Sequence, residues 1–160
     1  MLELVIYGAI VGAMTVFTVG GVLSMTRVFA EVRAYNALRE NGLIAMERMT
    51  KEIRFSSSVN YAASAFNTST GRLSLNASDE AGNPKTVEFS LASSTLRLIE
   101  DSVNKGTLAG GGVVVTTLRF TQSTTSKSSL IKIELSLKDA RATSTRAATF
   151  YGSAVLRGAY

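Results

Sequence analysis

Side chains able to do chemistry are few in this sequence, and their types are more informative than their spacing. There is no histidine and no cysteine, so no Ser-His-Asp, Cys-His or His-metal site can form and no disulfide framework exists. Carboxylates are the remaining candidates. Asp79-Glu80 and Glu100-Asp101 are adjacent acids in turn-like stretches. Each pair offers oxygen ligands to a weakly held Ca²⁺, but a solvated loop accounts for them far more simply. Gly110-Gly111-Gly112 lacks the Lys-Ser/Thr of a phosphate-binding loop and precedes a strand pattern rather than a helix, so it reads as a flexible connector. These readings predict a protein that is not an enzyme and has neither a cofactor nor a metal site.

One acid stands apart. Glu3, between Leu2 and Leu4, opens an uncharged run of 22 residues, Leu4 to Met25, and all 17 basic residues lie at Arg27 or later. At 1.5 Å per residue the run is about 33 Å long as a helix, the thickness of a bilayer core. A cleaved signal peptide would need a basic start, a shorter apolar core and a small-x-small site. Here the start is acidic and the run continues without a break into "RVFAEVR". The segment therefore reads as a retained transmembrane helix. Gly8 and Gly12 form a G-x-x-x-G that lets helices approach closely in lipid. Gly20-Gly21 lowers helix propensity by about 1 kcal/mol per residue and is a candidate soft point.

Beyond Arg27 the helical period persists on one face. Leu38, Gly42, Ala45, Met49 and Ile53 recur at three- and four-residue steps, while Arg39, Glu40, Glu47, Arg48, Lys51 and Arg54 fall mostly elsewhere. Glu47 and Lys51 make an i to i+4 pair with the acid first. With no proline before Pro84, the economical reading is one helix from Leu2 to about Phe55, roughly 80 Å long. Its first half is apolar all round and its second half is amphipathic. The alternative is two helices joined near Gly20-Gly21 or Gly42.

The period then changes. Ser56-Ser57-Ser58 and the stretch Tyr61 to Gly71 read as a polar connection, and Leu73 and Leu75 alternate with Ser74 and Asn76. A turn at Asp79–Pro84 leads to Val87, Phe89 and Leu91, and a second at Ala92–Ser94 to Leu96 and Leu98, which predicts a three-strand meander. Further strands are predicted at Val113–Gln122, in "LIKIELSLK" (Ile131, Ile133, Leu135 and Leu137 on one face), and within Ala147–Arg157, with a turn at Thr124–Ser128. One apolar sheet face and one apolar helix stripe need each other. The chain is therefore predicted to be α+β, with residues 1–26 a transmembrane or filament-core helix. Residues 27–160 would form one globular domain, helix 27–55 packed on an antiparallel sheet of about five or six strands over 72–157.

Net charge is +5, or +6 once Glu3 is set aside, too small and scattered for a nucleic-acid footprint. Arg141, Arg146 and Arg157 are a candidate basic patch, with Phe150, Tyr151 and Tyr160 the only aromatics near them, so nucleic acid is a weakly supported partner. Asn67-Thr68-Ser69 and Asn76-Ala77-Ser78 match the glycosylation sequon, a short and often accidental pattern.

"MLELVIYGAIVG" resembles the N-terminal segment of type IV pilins and pseudopilins, in which a short hydrophobic run around Glu-Leu precedes an apolar helix and a sheet domain. "IAMERMTKEIRFSSSVN", the short strands and the closing "FYGSAVLRG" are similar to minor pilins and pseudopilins, and the loose architecture covers essentially the whole chain. The family glutamate stands fifth in the mature chain whereas Glu3 is third, and no charged leader precedes it. Either two residues are missing ahead of Met1 or processing differs. The family's helix-kinking proline is absent, and Gly20-Gly21 stands in its place.

The resemblance implies a single-pass inner-membrane precursor that joins an extracellular or periplasmic filament. Its partners would be copies of itself, other pilins, a prepilin peptidase and an inner-membrane assembly platform. Glu3 would pair with the N-terminal amine of a neighbouring subunit, with Leu2, Leu4, Gly8 and Gly12 packing around it. A carboxylate in hydrocarbon costs about 2.5–3.5 kcal/mol on insertion scales unless paired, and a buried polar group can set register. The alternative for Glu3 is a position in the headgroup layer. The alternatives for the chain are a low-copy minor subunit for adhesion, DNA uptake or secretion, and a plain anchored domain.

Overall fold

One α-helix, a short 3-10 turn and eight strands make up the described residues. The computed structural model describes residues 2–79, 81–124, 129–141 and 146–156. Helix α1, Leu2–Phe55, is helical throughout, across Gly20-Gly21 and Gly42 alike. It is followed by β1 (Ser58–Val59), a 3-10 turn at Tyr61–Ala63, β2 (Arg72–Ser78), β3 (Pro84–Ala92), β4 (Thr95–Glu100), β5 (Val103–Thr107), β6 (Val113–Thr124), β7 (Ser129–Asp139) and β8 (Ala147–Val155). The fold is α+β. Two compact units divide it, Met1–Asn36 and Ala37–Tyr160.

The second unit holds the core. The helix positions predicted to be buried are buried, with Leu38, Ala45, Met49 and Ile53 all at 1% exposure or less. They meet Leu73, Leu75, Phe89, Leu96, Leu118, Phe120 and the alternating Ile131, Ile133, Leu135 and Leu137 of β7. Lys132, on the opposite face of β7, is exposed, the period-2 pattern of a strand half-buried on the core. Two glycines set the closest helix-to-sheet approach. A Cβ on Gly42 would collide with the ring of Phe150, and one on Gly152 would collide with Met46 Cε. Helix propensity favours Ala or Leu over Gly at position 42 by about 1 kcal/mol, while overpacking costs typically about 1–3 kcal/mol. Gly42→Leu is therefore expected to lower the unfolding free energy by up to about 2 kcal/mol, read as a shifted urea midpoint. An unchanged midpoint would mean that Phe150 moves aside freely.

The sheet prediction needs correction. One sheet of five or six strands was expected, and the structure has two, a five-stranded sheet in the order β1-β2-β3-β4-β5 and a three-stranded sheet in the order β6-β7-β8. The strand pairings within both sheets are antiparallel. The meander of β2, β3 and β4 forms as predicted, but Asp101 and Ser102 turn the chain back with left-handed φ values of 49° and 67° into β5. That strand, Val-Asn-Lys-Gly-Thr, is exposed at every position, so it carries no apolar alternation to reveal it. β6 does not join it. Its free side is instead occupied by loop backbone, with Gly71 N donating to Leu118 O at 2.6 Å and Leu118 N to Ser69 O at 2.9 Å. β1 begins at Ser58, in the stretch read as a polar connection, and pairs with β2 through Val59 and Leu75.

The helix is fastened to the first sheet by charge as well as by packing. Arg48 Nη2 reaches Glu52 at 2.8 Å and Glu100 at 3.1 Å, and Lys85 Nζ meets Glu100 at 3.2 Å. Partly exposed pairs of this kind contribute about 1 kcal/mol or less each. The predicted Glu47–Lys51 pair is not among the ion pairs of the described residues; Arg48 and Glu52, one position on, form the helical i to i+4 pair instead.

Candidate membrane-anchoring segment

Within the first unit, α1 presents apolar side chains to every side. Leu4, Tyr7, Val11, Met14, Phe17 and Leu23 are all exposed, Phe17 to 86%, and an 18-residue window of the helix apolar enough to cross a membrane has no buried residue. Exposed apolar surface of this extent requires a cover, either lipid or other protein. The helix closes its own backbone hydrogen bonds, the condition for crossing hydrocarbon. The three threonine hydroxyls of this unit are closed as well. Thr15 Oγ1 donates to Val11 O and Thr18 Oγ1 to Met14 O, one turn back, and Thr26 Oγ1 to Leu23 O, each at 2.8 Å. Sequence reasoning had passed over these threonines, whose placement in the run was the available signal.

The predicted site residues all lie on this helix. Glu3 sits in the first turn of α1, where the positive end of the helix dipole favours an acid by about 0.3–1 kcal/mol. It is exposed and has no ion-pair partner among the described residues. Leu2 and Leu4 beside it are exposed too. Gly8 and Gly12, one turn apart and so on one face, have nothing within 4 Å of where a Cβ would stand, and the same holds for Gly20 and Gly21. The contrast with Gly42 is direct. The glycine at position 42 is filled by this chain's own Phe150, whereas the small-residue surface at 8 and 12 is open to a second helix.

The other constellations are absorbed by the fold. Glu100 is held by Arg48 and Lys85, and Asp101 Oδ1 accepts Thr86 N at 2.8 Å. Asp79 accepts from Asn83 Nδ2 and from the backbone N–H groups of Ala81 and Asn83; Glu80 lies outside the described residues. No group of three or more His, Cys, Asp or Glu side chains suited to a metal ion occurs among the described residues. Gly110, read as part of a flexible connector, is tied down by its N–H donating to Asn41 Oδ1. Arg141 is held by Asp139, whose carboxylate accepts from Nη2 at 2.7 Å. Arg146 is exposed, its backbone O accepting from Asp139 N at 3.1 Å, while Arg157 and Tyr160 of the candidate basic patch lie outside the described residues, as do residues 125–128 of the expected Thr124–Ser128 turn.

The hydrogen bond from the Asn83 side chain, followed by one from its backbone, holds the Asp79 carboxyl below its ordinary value. A lowered pKa in the folded state means that the turn gains stability above the ordinary carboxylate range. That gain is lost as pH falls through the folded-state value. Asn83→Ala is expected to move the Asp79 midpoint upward in an NMR titration of its carboxyl carbon. An unmoved midpoint would rule out this cause.

Compared with protein-family models, characterised proteins and solved structures, the chain matches none.

Proposed function

We propose that this chain is a structural subunit of a type IV pilus-like filament, held in a membrane by the first half of α1 before assembly and polymerising through it. The observation that carries the reading is the all-round exposed apolar run of α1 with a carboxylate, Glu3, in its first turn. A lipid anchor tolerates that acid at its edge, whereas a polymer gives it a specific partner. In a filament core the amine of one subunit neutralises Glu3 of the next, and the paired charges set the step between subunits. The apolar helix is at home in both settings, in lipid before assembly and among copies of itself afterwards. Growth is head-to-tail and does not close, which yields a helical polymer. Open glycines at 8 and 12 allow neighbouring helices to approach closely. The partners on this reading are further copies, other pilins, a prepilin peptidase and an inner-membrane platform, and the sheets face outward, outside the cytoplasm.

The test is quantitative recovery of the protein in the fraction sheared from cells, for wild type and for Glu3→Ala. The filament reading expects abundant sheared protein in the wild type and at least a tenfold drop in the variant, with the membrane-bound amount maintained. A plain anchor would give no sheared protein from either.

A further inference from the structure

Four strand edges bound the two sheets, and three of them are protected. β1 is only two residues long. β5 carries Lys105, a left-handed Gly106 at φ 119° and a register shift against β4 between Leu98 and Ile99. The free side of β6 is bonded to loop backbone at Ser69, Gly71 and Ser94. These are the recognised ways of blunting an edge.

β8 has none of them. Its nine residues, Ala-Ala-Thr-Phe-Tyr-Gly-Ser-Ala-Val, include no charge and no proline, and its pairing with β7 runs without a shift from Ala147 to Val155. Among the described residues no backbone bonds to its outer side. Every second N–H and C=O of a regular outer strand points away from its one neighbour, ready to pair. Beside this edge lies a groove of about 1170 Å³ between β8 and the α1 segment that starts at Leu43. Its apolar walls include Leu43, Phe55, Tyr151 and Val155, with Tyr151 exposed to 75%. Lys51, Arg54 and Glu47 also line it. Neither base has an ion-pair partner among the described residues, so the wall is net positive.

From these features we infer that β8 and its groove receive an extended, carboxylate-bearing segment of a different protein, added to the three-stranded sheet as a fourth strand. Main-chain bonds to β8 would supply affinity, and the side chains of the incoming strand that face α1 would supply specificity. A second copy fits less well. Pairing β8 with another β8 brings no carboxylate to Lys51 and Arg54, because Ala147–Val155 contains none, and the β5 edge would bring Lys105. Like charges brought together in the groove oppose docking. This inference stands independently of the filament reading, since it uses only the second unit.

The probes are two nine-residue peptides of alternating threonine, one with valine, valine, glutamate and valine at its even positions and the other with lysine replacing the glutamate. Binding to the full-length protein in mild detergent is read by fluorescence anisotropy. Saturable binding of the glutamate peptide, at least tenfold tighter than the lysine peptide, is expected. The preference should vanish in the Lys51→Ala, Arg54→Ala double variant, and N-methylation of every second peptide amide along one edge should abolish binding. No saturable binding, no preference between the peptides, or equal binding after N-methylation of either edge would overturn the inference. So would a concentration-dependent dimer in sedimentation that the peptide dissociates, since a second copy would then occupy the edge.

Discussion

Phe120→Ala is expected to remove about 3–5 kcal/mol of stability, the range for emptying a buried aromatic site. Phe120 is fully buried in the centre of β6, opposite Ile133 of β7 in register, and its N–H and Cδ2 lie within 3.4 Å of where a Cβ on Gly71 would stand. The surrounding backbone is pinned by Asn67 N donating to Phe120 O at 2.8 Å, so the cavity cannot collapse readily. Marginal domains have about 5–15 kcal/mol in all, and the variant should therefore unfold at a much lower denaturant concentration. Tyr151→Ala, at an exposed position on β8, serves as the control and should stay within about 0.5 kcal/mol of wild type. A Phe120→Ala cost below about 1 kcal/mol, measured by urea denaturation in mild detergent, would contradict the packing described.

Met14→Arg is the second large effect. Met14 stands near the middle of the uncharged run and is exposed, so in a membrane it faces hydrocarbon. A central arginine costs about 2.5–3.5 kcal/mol on insertion scales, which converts to roughly a hundredfold shift in the insertion equilibrium. Carbonate-resistant membrane association should fall accordingly, while Lys51→Ala, in the second unit, should leave it unchanged. Equal extraction of wild type and Met14→Arg would show that the run is covered by something other than lipid. Both substitutions probe one division of labour along α1, in which Leu4–Met25 stays apolar on all sides and the later turns carry a single buried stripe.

That division was legible in the sequence because it rests on local patterns. The charge-free run, the recurrence of Leu38, Ala45, Met49 and Ile53, and the strict alternation of β7 each reflect a burial that one element imposes on its own residues. The partition into two sheets was not legible, because it depends on what β6 meets in space. Gly71 and Ser69 reach its backbone through main-chain atoms, which leave no trace in side-chain type. β5 escaped for a related reason, being an exposed edge strand with no burial to pattern it. The choice of Arg48 over Glu47–Lys51 for the helical ion pair followed from Glu100, a partner 52 residues away. In the apolar first half of α1, Glu3 and the glycines were visible from their types. The hydroxyl bonds of Thr15 and Thr18 required the helix itself, and the groove beside β8 required tertiary structure.

Electron microscopy of material sheared from cells making the protein, with the protein labelled, tests the central claim most directly. The account expects label along the whole length of filaments from the wild type and no filaments from Glu3→Ala, with both proteins present in the membrane at similar levels. Label absent from every filament, with all of the protein remaining in the membrane in both strains, would contradict it.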